Sequence, residues 1–345
     1  MRVMSKAIIA GSEGLMASAA SRHIPIAALV ILCLPIPAVQ ASCRLEELAE
    51  FHVDMVGNSP IIDGQINGHP IRIVLETGSD LSHLTRTAAR QLDLPLRSAA
   101  DRWMVDIDTY DTLETTVIKE FKIGKIVLKN YPVNVGGKVI HDGNGVAGFQ
   151  LGADVLSKFT TEWDLAHGIV RFLSPQDCRI EQLAYWTPSY FQMTLEPQSQ
   201  FNPSPELEVT INGKSTKAEI VSGSAISYIR PGGAREVGVD TSGPDAKSVG
   251  DITGLAKAPI PTWIGRFDRF EVGGETIENV HLLISELSQD RWEMSGTRVP
   301  MRVRPPEVYL GADFLRANHL IMDPERHVAV FTYNGGPVFN TDRPE

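Results

Sequence analysis

Apolar and polar residues alternate over residues 59–76, and the alternation is interrupted once, at Asn67-Gly68. A period of two places apolar side chains on one face of a strand, and Asn-Gly is a preferred two-residue hairpin turn. The pattern therefore predicts a β-hairpin that turns at Asn67-Gly68. A glycine loop at 77–79 follows. The next segment predicts a short helix, Arg86–Leu92, with its apolar and alanine positions on one side.

Further strands are predicted through 121–135, with glycine turns at Gly124 and Gly136-Gly137. A glycine-bounded apolar segment at 146–156 and a strand near 169–173 complete this part of the chain. Short strands joined by turns predominate, so a mostly β fold is predicted.

The same order of motifs occurs twice along the chain. Hairpin turn and glycine loop recur at one offset, and the later apolar-Gly segment recurs at a slightly larger one, as a single insertion would produce. The matching pairs are Asn67-Gly68 with Asn212-Gly213, Gly78–Leu84 with Gly223–Ile229, Leu151–Leu156 with Leu310–Leu315, Asp164 with Asp323, and Phe172 with Phe331. Collinear matches over this distance indicate an internal duplication.

At 345 residues the chain exceeds the usual size of one domain. The duplication predicts two lobes joined by a linker rich in proline. The predicted boundaries are 1–41 for a signal segment, 42–173 for the first lobe, 174–204 for the linker, 205–335 for the second lobe and 336–345 for a tail.

The N-terminal segment is typical of an export signal. Arg2, Lys6 and Arg22 precede the apolar run Ile24–Ala38, and the small-residue pattern Val39-Gln40-Ala41 follows. An amphipathic or buried helix is the alternative, which the prolines of the run oppose. The run is also short for a transmembrane span, so none is predicted in the mature chain. We therefore expect a secreted or periplasmic protein.

Composition excludes several classes of function. Apolar residues make up 43% of the chain and charged residues 21%, and the net charge is -10 with no basic block, so no nucleic acid is expected as partner. The histidines are scattered, and neither HExxH nor paired CxxC spacing occurs. No metal and no other cofactor are therefore predicted.

Cleavage after residue 41 would leave two cysteines, Cys43 and Cys178. Two cysteines in an oxidising compartment favour one disulfide. Lipid modification of Cys43 as the first mature residue is the alternative, although Gln40 fits poorly the apolar residue expected three positions earlier.

One motif pair resembles the aspartic peptidases, and in particular the retropepsin-like group common in bacteria. It consists of a strand ending in acid-Thr-Gly-Ser, Ile73–Ser79, and a later apolar-Gly-x-Asp segment, Leu151–Asp154, each with a counterpart in the second copy. The likeness covers roughly residues 51–333. It implies two homologous acid-protease-like β-barrel lobes flanking a central cleft, here within one chain.

In that family one aspartate from each lobe shares a proton with the other, because adjacent like charges cannot both ionise. One carboxylate activates water as a general base while its partner polarises the scissile carbonyl. The resemblance assigns the active-site loops to Thr77, Gly78, Ser79, Ser222, Gly223 and Ser224.

Both aspartate positions are substituted in this chain. Glu76 keeps the acid but is longer by one methylene, and displacements of that size cost roughly a hundredfold in rate. Val221 in the second copy can neither ionise nor hold water. Glu219, two residues earlier, points to the same strand face as Val221, and a solvent-facing side chain is the favoured interpretation over one near the cleft.

Three other features have competing interpretations. Gly143–Gly148 matches GxGxxG, but no βαβ unit surrounds it. Asp154 and Asp313 follow apolar-Gly in both copies, which favours structural bonding to nearby backbone over a replacement catalytic pair. Tyr110 lies where the family's covering flap is expected, and ordinary strand packing explains it equally well.

Three functions remain open at this stage. The first is an exported, catalytically impaired homologue that binds an extended peptide or a protein partner in the cleft. The second is an active aspartic-type endopeptidase that uses Glu76 as the surviving acid. The third is a structural envelope protein with a vestigial cleft.

Overall fold

The structure is a computed structural model. It describes residues 42–56, 59–106, 109–136, 140–142, 145–198, 203–252, 259–287, 291–294, 300–303 and 305–339, with the backbone alone at 99–106, 109–113, 140–142, 145–146, 252, 291–294 and 300–303. The predicted signal segment lies outside these residues. All of the described residues belong to the compact unit Ala41–Glu345.

Short strands and two short helices form the first copy of the repeat. In chain order they are β1 (Arg44–His52), β2 (Asp54–Val56), β3 (Ser59–Ile66), β4 (His69–Leu75), β5 (His83–Leu84), α1 (Arg86–Gln91), β6 (Arg97–Asp106), β7 (Thr109–Ile123), β8 (Ile126–Val135), β9 (Ile140–Asp142), β10 (Gly145–Ala147), β11 (Phe149–Leu151), α2 (Ala153–Leu156), β12 (Thr160–Asp164) and β13 (Ile169–Gln176).

Six of these strands close into a barrel in the order β3-β4-β11-β5-β8-β7, with β7 pairing back onto β3. The predicted hairpin is confirmed, since Ile66 pairs with His69 across a turn in which Asn67 and Gly68 both have positive φ. Strand β11 runs parallel to β4 and places Leu151 beside Leu75. The loop that follows β4 therefore begins next to the turn that follows β11.

The second copy repeats this order. A short 3-10 turn (Ile180–Gln182) and β14 (Phe191–Thr194) precede it. Its elements are β15 (Glu206–Ile211), β16 (Lys214–Ile220), β17 (Tyr228–Ile229), α3 (Pro231–Glu236), β18 (Ala246–Ile252), β19 (Ile260–Val272), β20 (Glu275–Ser285), β21 (Arg291–Met294), β22 (Pro300–Val303), β23 (Val308–Leu310), α4 (Ala312–Ala317), β24 (Asn318–Asp323) and β25 (Val328–Tyr333).

The second barrel has the equivalent order β15-β16-β23-β17-β20-β19, with β19 pairing back onto β15. Strand β23 runs parallel to β16 and places Leu310 beside Ile220, as Leu151 lies beside Leu75 in the first barrel. The predicted mostly β fold with two homologous barrel lobes is confirmed.

A six-stranded sheet of order β1-β13-β12-β24-β25-β14 joins the two copies. Its central pairing, β12 with β24, places Glu162 of the first copy beside Ile321 of the second. Strand β14 lies inside the segment predicted to be a linker and pairs with β25. That segment therefore contributes an edge strand to the shared sheet.

The predicted disulfide between Cys43 and Cys178 is present. Cys43 precedes β1 and Cys178 follows β13, and these two strands pair along their whole length. A half-cystine has no free thiol to carry a thioether lipid, so the structure favours the disulfide over the lipidated alternative. Among the described residues, no helix is both long enough and apolar enough to cross a membrane.

Candidate active site

The two glycine loops have matching backbone frameworks. The first amide of each loop donates a hydrogen bond to the last carbonyl of the neighbouring parallel strand, β11 in the first lobe and β23 in the second. A carbonyl later in each loop accepts a hydrogen bond from the first amide of the helix that follows this strand. The pairs are Glu76 N to Leu151 O at 2.9 Å with Val221 N to Leu310 O at 2.8 Å, and Ala153 N to Ser79 O with Ala312 N to Ser224 O, both at 2.7 Å. Glu76 and Val221 therefore occupy equivalent positions.

Thr77 and Ser222 link the two loops through four reciprocal hydrogen bonds. The Thr77 amide donates to Ser222 Oγ at 3.0 Å, and the Ser222 amide donates to Thr77 Oγ1 at 2.9 Å. Thr77 Oγ1 also donates to Ile220 O at 2.5 Å, and Ser222 Oγ donates to Leu75 O at 2.7 Å. Both side chains are buried, so these bonds are shielded from water and fix the loops against each other.

The hydroxyl groups of Ser79 and Ser224 close their own loops. Ser79 Oγ donates to Leu81 O at 3.1 Å, and Ser224 Oγ donates to Ile226 O at 2.8 Å. All six loop residues predicted from the sequence are thus brought together where the two barrels meet.

The Glu76 carboxylate spans both loops. Its Oε1 accepts hydrogen bonds from the amides of Gly78 and Gly223, each at 3.2 Å. Its Oε2 lies against Gly223, 1.3 Å from the position that a β-carbon there would occupy. Among the described residues, Oε2 has no hydrogen-bond partner. Glu76 Oε1 therefore accepts a hydrogen bond from one backbone amide of each lobe.

Val221 makes the reciprocal contact. Its Cγ1 and Cγ2 lie 2.7 Å and 2.9 Å from the position of a β-carbon on Gly78. Val221 is also part of an apolar cluster on the second lobe that contains the stacked rings of Tyr228 and Tyr309, 4.7 Å apart. The first lobe therefore contributes the Glu76 carboxylate to the site, and the second lobe contributes the apolar side chain of Val221.

Burial raises the pKa of Glu76 to about 7, against the opposing effect of the two amide hydrogen bonds. The side chain is half-buried. Among the described residues, no basic side chain lowers its pKa. A carboxyl group with this pKa exchanges its proton near neutral pH, and the facing loop 221–227 contains no acidic residue with which it could share that proton.

Asp154 and Asp313 have structural roles, as predicted. Asp154 Oδ1 accepts hydrogen bonds from the amide and the hydroxyl of Ser82, both at 2.7 Å. Asp313 makes the equivalent contacts to Ser227 in the second lobe. Each aspartate holds the segment that follows its glycine loop.

The prediction of a solvent-facing Glu219 is wrong. Glu219 is only 5% exposed. It lies on β16, a barrel strand with neighbours on both sides, and pairs in register with Glu206 of β15 and Tyr309 of β23. Tyr110 lies on β7 opposite Val105, in the predicted flap hairpin β6–β7, and its side chain lies outside the described part of the chain.

Sequence reasoning missed a buried polar cluster on the shared sheet. Glu162 is fully buried, and its Oε1 accepts from His319 at 2.7 Å, Tyr185 at 2.8 Å and Arg171 at 3.0 Å. Trp186 stacks on His319 with ring centroids 3.7 Å apart. The cluster ties together the first copy, the connecting segment and the second copy.

Burial opposes the ionisation of Glu162, but the hydrogen bonds from His319 and Tyr185 and the charge of Arg171 outweigh it, so its pKa is lowered. A repeat comparison contains one signal for this site, because the residue equivalent to Glu162 in the second copy is Ile321. A charged residue in a buried strand position of one copy alone indicates a local polar partner. In the part of the chain that the structure describes, no group of three or more His, Cys, Asp or Glu side chains is placed to hold a metal ion.

Comparisons with known proteins give two matches. A family model described as aspartyl protease matches residues 62–155 and again 207–314, which together make up more than half of the chain. Among solved structures, the chain is similar to a retropepsin-like aspartic protease from Rickettsia conorii, with 19% sequence identity, a TM-score of 0.30, and coverage of 39% of this chain and 97% of that chain. No curated protein matches the chain.

Proposed function

Because the chain belongs to the aspartyl protease family, we propose that it is an exported member that no longer hydrolyses peptides efficiently and instead binds an extended peptide segment in the cleft between its lobes. The segment is either a free peptide or an unfolded part of a protein partner. The observation that carries this proposal is an intact loop framework with an acid, Glu76, at one of the two equivalent loop positions and Val221 at the other.

The loop framework supports a retained binding site. Thr77 and Ser222 keep all four reciprocal hydrogen bonds, although neither catalytic aspartate remains to be positioned by them. An open junction between two β barrels suits an extended chain, which forms main-chain hydrogen bonds to edge strands and hairpins. The β6–β7 hairpin, with Tyr110, is proposed to cover the bound segment.

The contacts of Glu76 and Val221 support the loss of efficient hydrolysis. The shared-proton mechanism needs two carboxylates that hold one water between them. No residue of the second loop, 221–227, carries a carboxylate. The amides of Gly78 and Gly223 both donate to Glu76 Oε1, so water activation would rest on one displaced acid.

One observation favours the second candidate, slow hydrolysis by Glu76 alone. Its pKa of about 7 is close to the value at which a general base works best at neutral pH. The facing loop 221–227, however, supplies no acid to polarise the scissile carbonyl. Binding without turnover therefore fits the site better.

Export is supported by the N-terminal segment and by the cysteines. A charged region, an apolar run and a small-residue cleavage pattern precede Cys43. The Cys43–Cys178 bond is of the kind that persists in oxidising compartments. We propose the periplasm or the extracellular space as the location of the mature protein, with residues 42–173 and 205–335 as its two lobes.

Fluorescence anisotropy with a mixture of capped, tetramethylrhodamine-labelled random decapeptides tests the binding proposal. We expect saturable binding that is lost in Ala225→Trp, because Ala225 packs in the apolar cluster beside Val221. Ser189→Trp, at an exposed site in the connecting segment, is the matched control and should bind as the unmodified protein does. Absence of binding, or equal binding by Ala225→Trp, would contradict the proposal.

A further inference from the structure

The two oxygens of Glu76 have different environments. Oε1 is held by the Gly78 and Gly223 amides, which are fixed donors and keep that oxygen an acceptor in both protonation states. Oε2 lies over Gly223 without a hydrogen-bond partner among the described residues. A proton on this carboxyl group therefore resides on Oε2.

A neutral and an ionised Glu76 present opposite hydrogen-bonding properties at Oε2. The neutral acid is a donor there, and the carboxylate is an acceptor only. A main-chain carbonyl of a bound peptide can accept from the neutral acid, whereas it repels the carboxylate. The facing loop 221–227 has Val221 at the equivalent position and contains no acidic residue that could keep a proton here at higher pH.

We propose that Glu76 controls the cleft through this one proton, so that its neutral form donates from Oε2 to a carbonyl of the bound segment and its ionised form releases that segment. The inference rests on the proposed function and adds its regulation. The protein would then capture extended chains in acidic surroundings and release them in alkaline ones.

The charged groups described around Glu76 include no base that would compensate the negative charge formed when Glu76 loses its proton. Its own loop contributes Asp80, whose Oδ1 accepts a hydrogen bond from Ser204 at 3.1 Å. The facing loop 221–227, strand β11 and the start of β3 contribute no charged side chain. Glu219 on β16 is a buried acid that other contacts engage. The side chains of the β6–β7 tip lie outside the described part of the chain.

The size of the effect follows from the protonated fraction. Burial raises the pKa of Glu76 to about 7, so nearly all molecules are neutral at about pH 5.5 and only a few per cent are at about pH 8.5. An apparent dissociation constant scales inversely with the competent fraction. Binding is therefore expected to be about thirtyfold weaker at the higher pH.

The test uses the labelled decapeptide mixture restricted to uncharged side chains, so that only the protein titrates. Three variants of the full mature chain separate the contributions. Glu76→Gln places an amide donor at the same site. At both pH values it should bind the peptides as tightly as the unmodified protein does at about pH 5.5. Glu76→Met has similar length but no donor and should bind weakly at both. Glu208→Gln, an exposed acid on β15, should keep the thirtyfold change.

Each result has a defined consequence. If the unmodified protein binds with equal strength at both pH values, or if Glu76→Gln keeps the pH dependence, this inference is wrong while the proposed function stands. If no peptide binds at any pH, the proposed function fails and the inference fails with it. Urea unfolding of each variant confirms that loss of binding is not loss of folding.

Discussion

Glu76 of the first lobe and Gly223 of the second are in direct contact, with the carboxylate in the space that a β-carbon at residue 223 would need. Val221 and Gly78 repeat the relationship in the opposite direction. Each loop thus places a side chain on the glycine of the other. The two contacts differ in stiffness, because a carboxylate lies at the end of a flexible side chain, whereas a β-branched side chain has a restricted χ1 angle.

This difference predicts unequal costs for two alanine substitutions. Gly78→Ala should destabilise the protein by about 1–3 kcal/mol, because Val221 cannot move away. Gly223→Ala should cost about 1 kcal/mol, since Glu76 swings aside and loses one amide hydrogen bond. Neither glycine has a positive φ, so backbone strain does not contribute. Urea unfolding measures both.

Gly232→Ala is the matched control, because the nearest atom to its new methyl group is 3.7 Å away. Adding Val221→Ala to Gly78→Ala should recover part of the lost stability. An equal or larger cost for Gly223→Ala would show that the two contacts do not differ in stiffness.

The raised pKa of Glu76 predicts how stability depends on pH. The unfolded chain ionises this group near its ordinary value of 4.5 and the folded protein near 7. Between pH 4.5 and about pH 7 the folded protein still holds the proton that the unfolded chain has lost. The free energy of unfolding should therefore fall as the pH rises through this range, by up to about 3 kcal/mol. The difference between the unmodified protein and Glu76→Gln, measured by urea unfolding across this range, isolates the contribution. A constant difference would contradict the assigned burial.

The Glu162 cluster predicts a change of the opposite sign. The pKa of Glu162 is lowered, so its contribution to stability is present above the ordinary value of 4.5 and is lost as the pH falls below it. Glu162→Gln should cost about 3 kcal/mol at neutral pH, because it leaves the Arg171 guanidinium without its buried counter-charge. Thermal or urea unfolding checks this value.

Glu46→Gln removes the acid of an exposed ion pair with Arg44 and should leave stability unchanged within error. If both substitutions had the same effect, the buried cluster would have no special part in joining the two copies.

Much of the fold could be predicted, because short sequence motifs mark the same turns and strands in both copies of the repeat. Asn67-Gly68 and Asn212-Gly213 mark hairpins by turn chemistry, and both turns form with positive φ at each residue. The alternation of apolar and polar residues in the strands that flank each turn then predicts which strand face is buried. The shared sheet was not predicted, because β12 and β24 pair across more than a hundred residues and no local pattern encodes that contact.

The residues of the candidate site could be named from the sequence, but the contacts between them could not. Aligning the copies identified Glu76 and Val221, but the reach of Glu76 to the Gly223 amide depends on how two lobes pack. Glu219 was misjudged for a related reason, since a charged residue on a strand is usually exposed and only the neighbouring strands bury it. The family itself does not settle activity, because function belongs to the site and not to the fold.

Incubation with a peptide library between about pH 3 and pH 8, followed by mass spectrometry, tests the loss of catalysis most directly. The unmodified protein should produce no cleavage above background, because Val221 removes one carboxylate and Glu76 displaces the other. The double variant Glu76→Asp with Val221→Asp restores two carboxylates of matching length on an intact loop framework, and it should gain cleavage with an acidic optimum that statine-type peptides inhibit. Robust cleavage by the unmodified protein that Glu76→Ala abolishes would contradict the proposed loss of catalysis and establish Glu76 as a working catalytic acid.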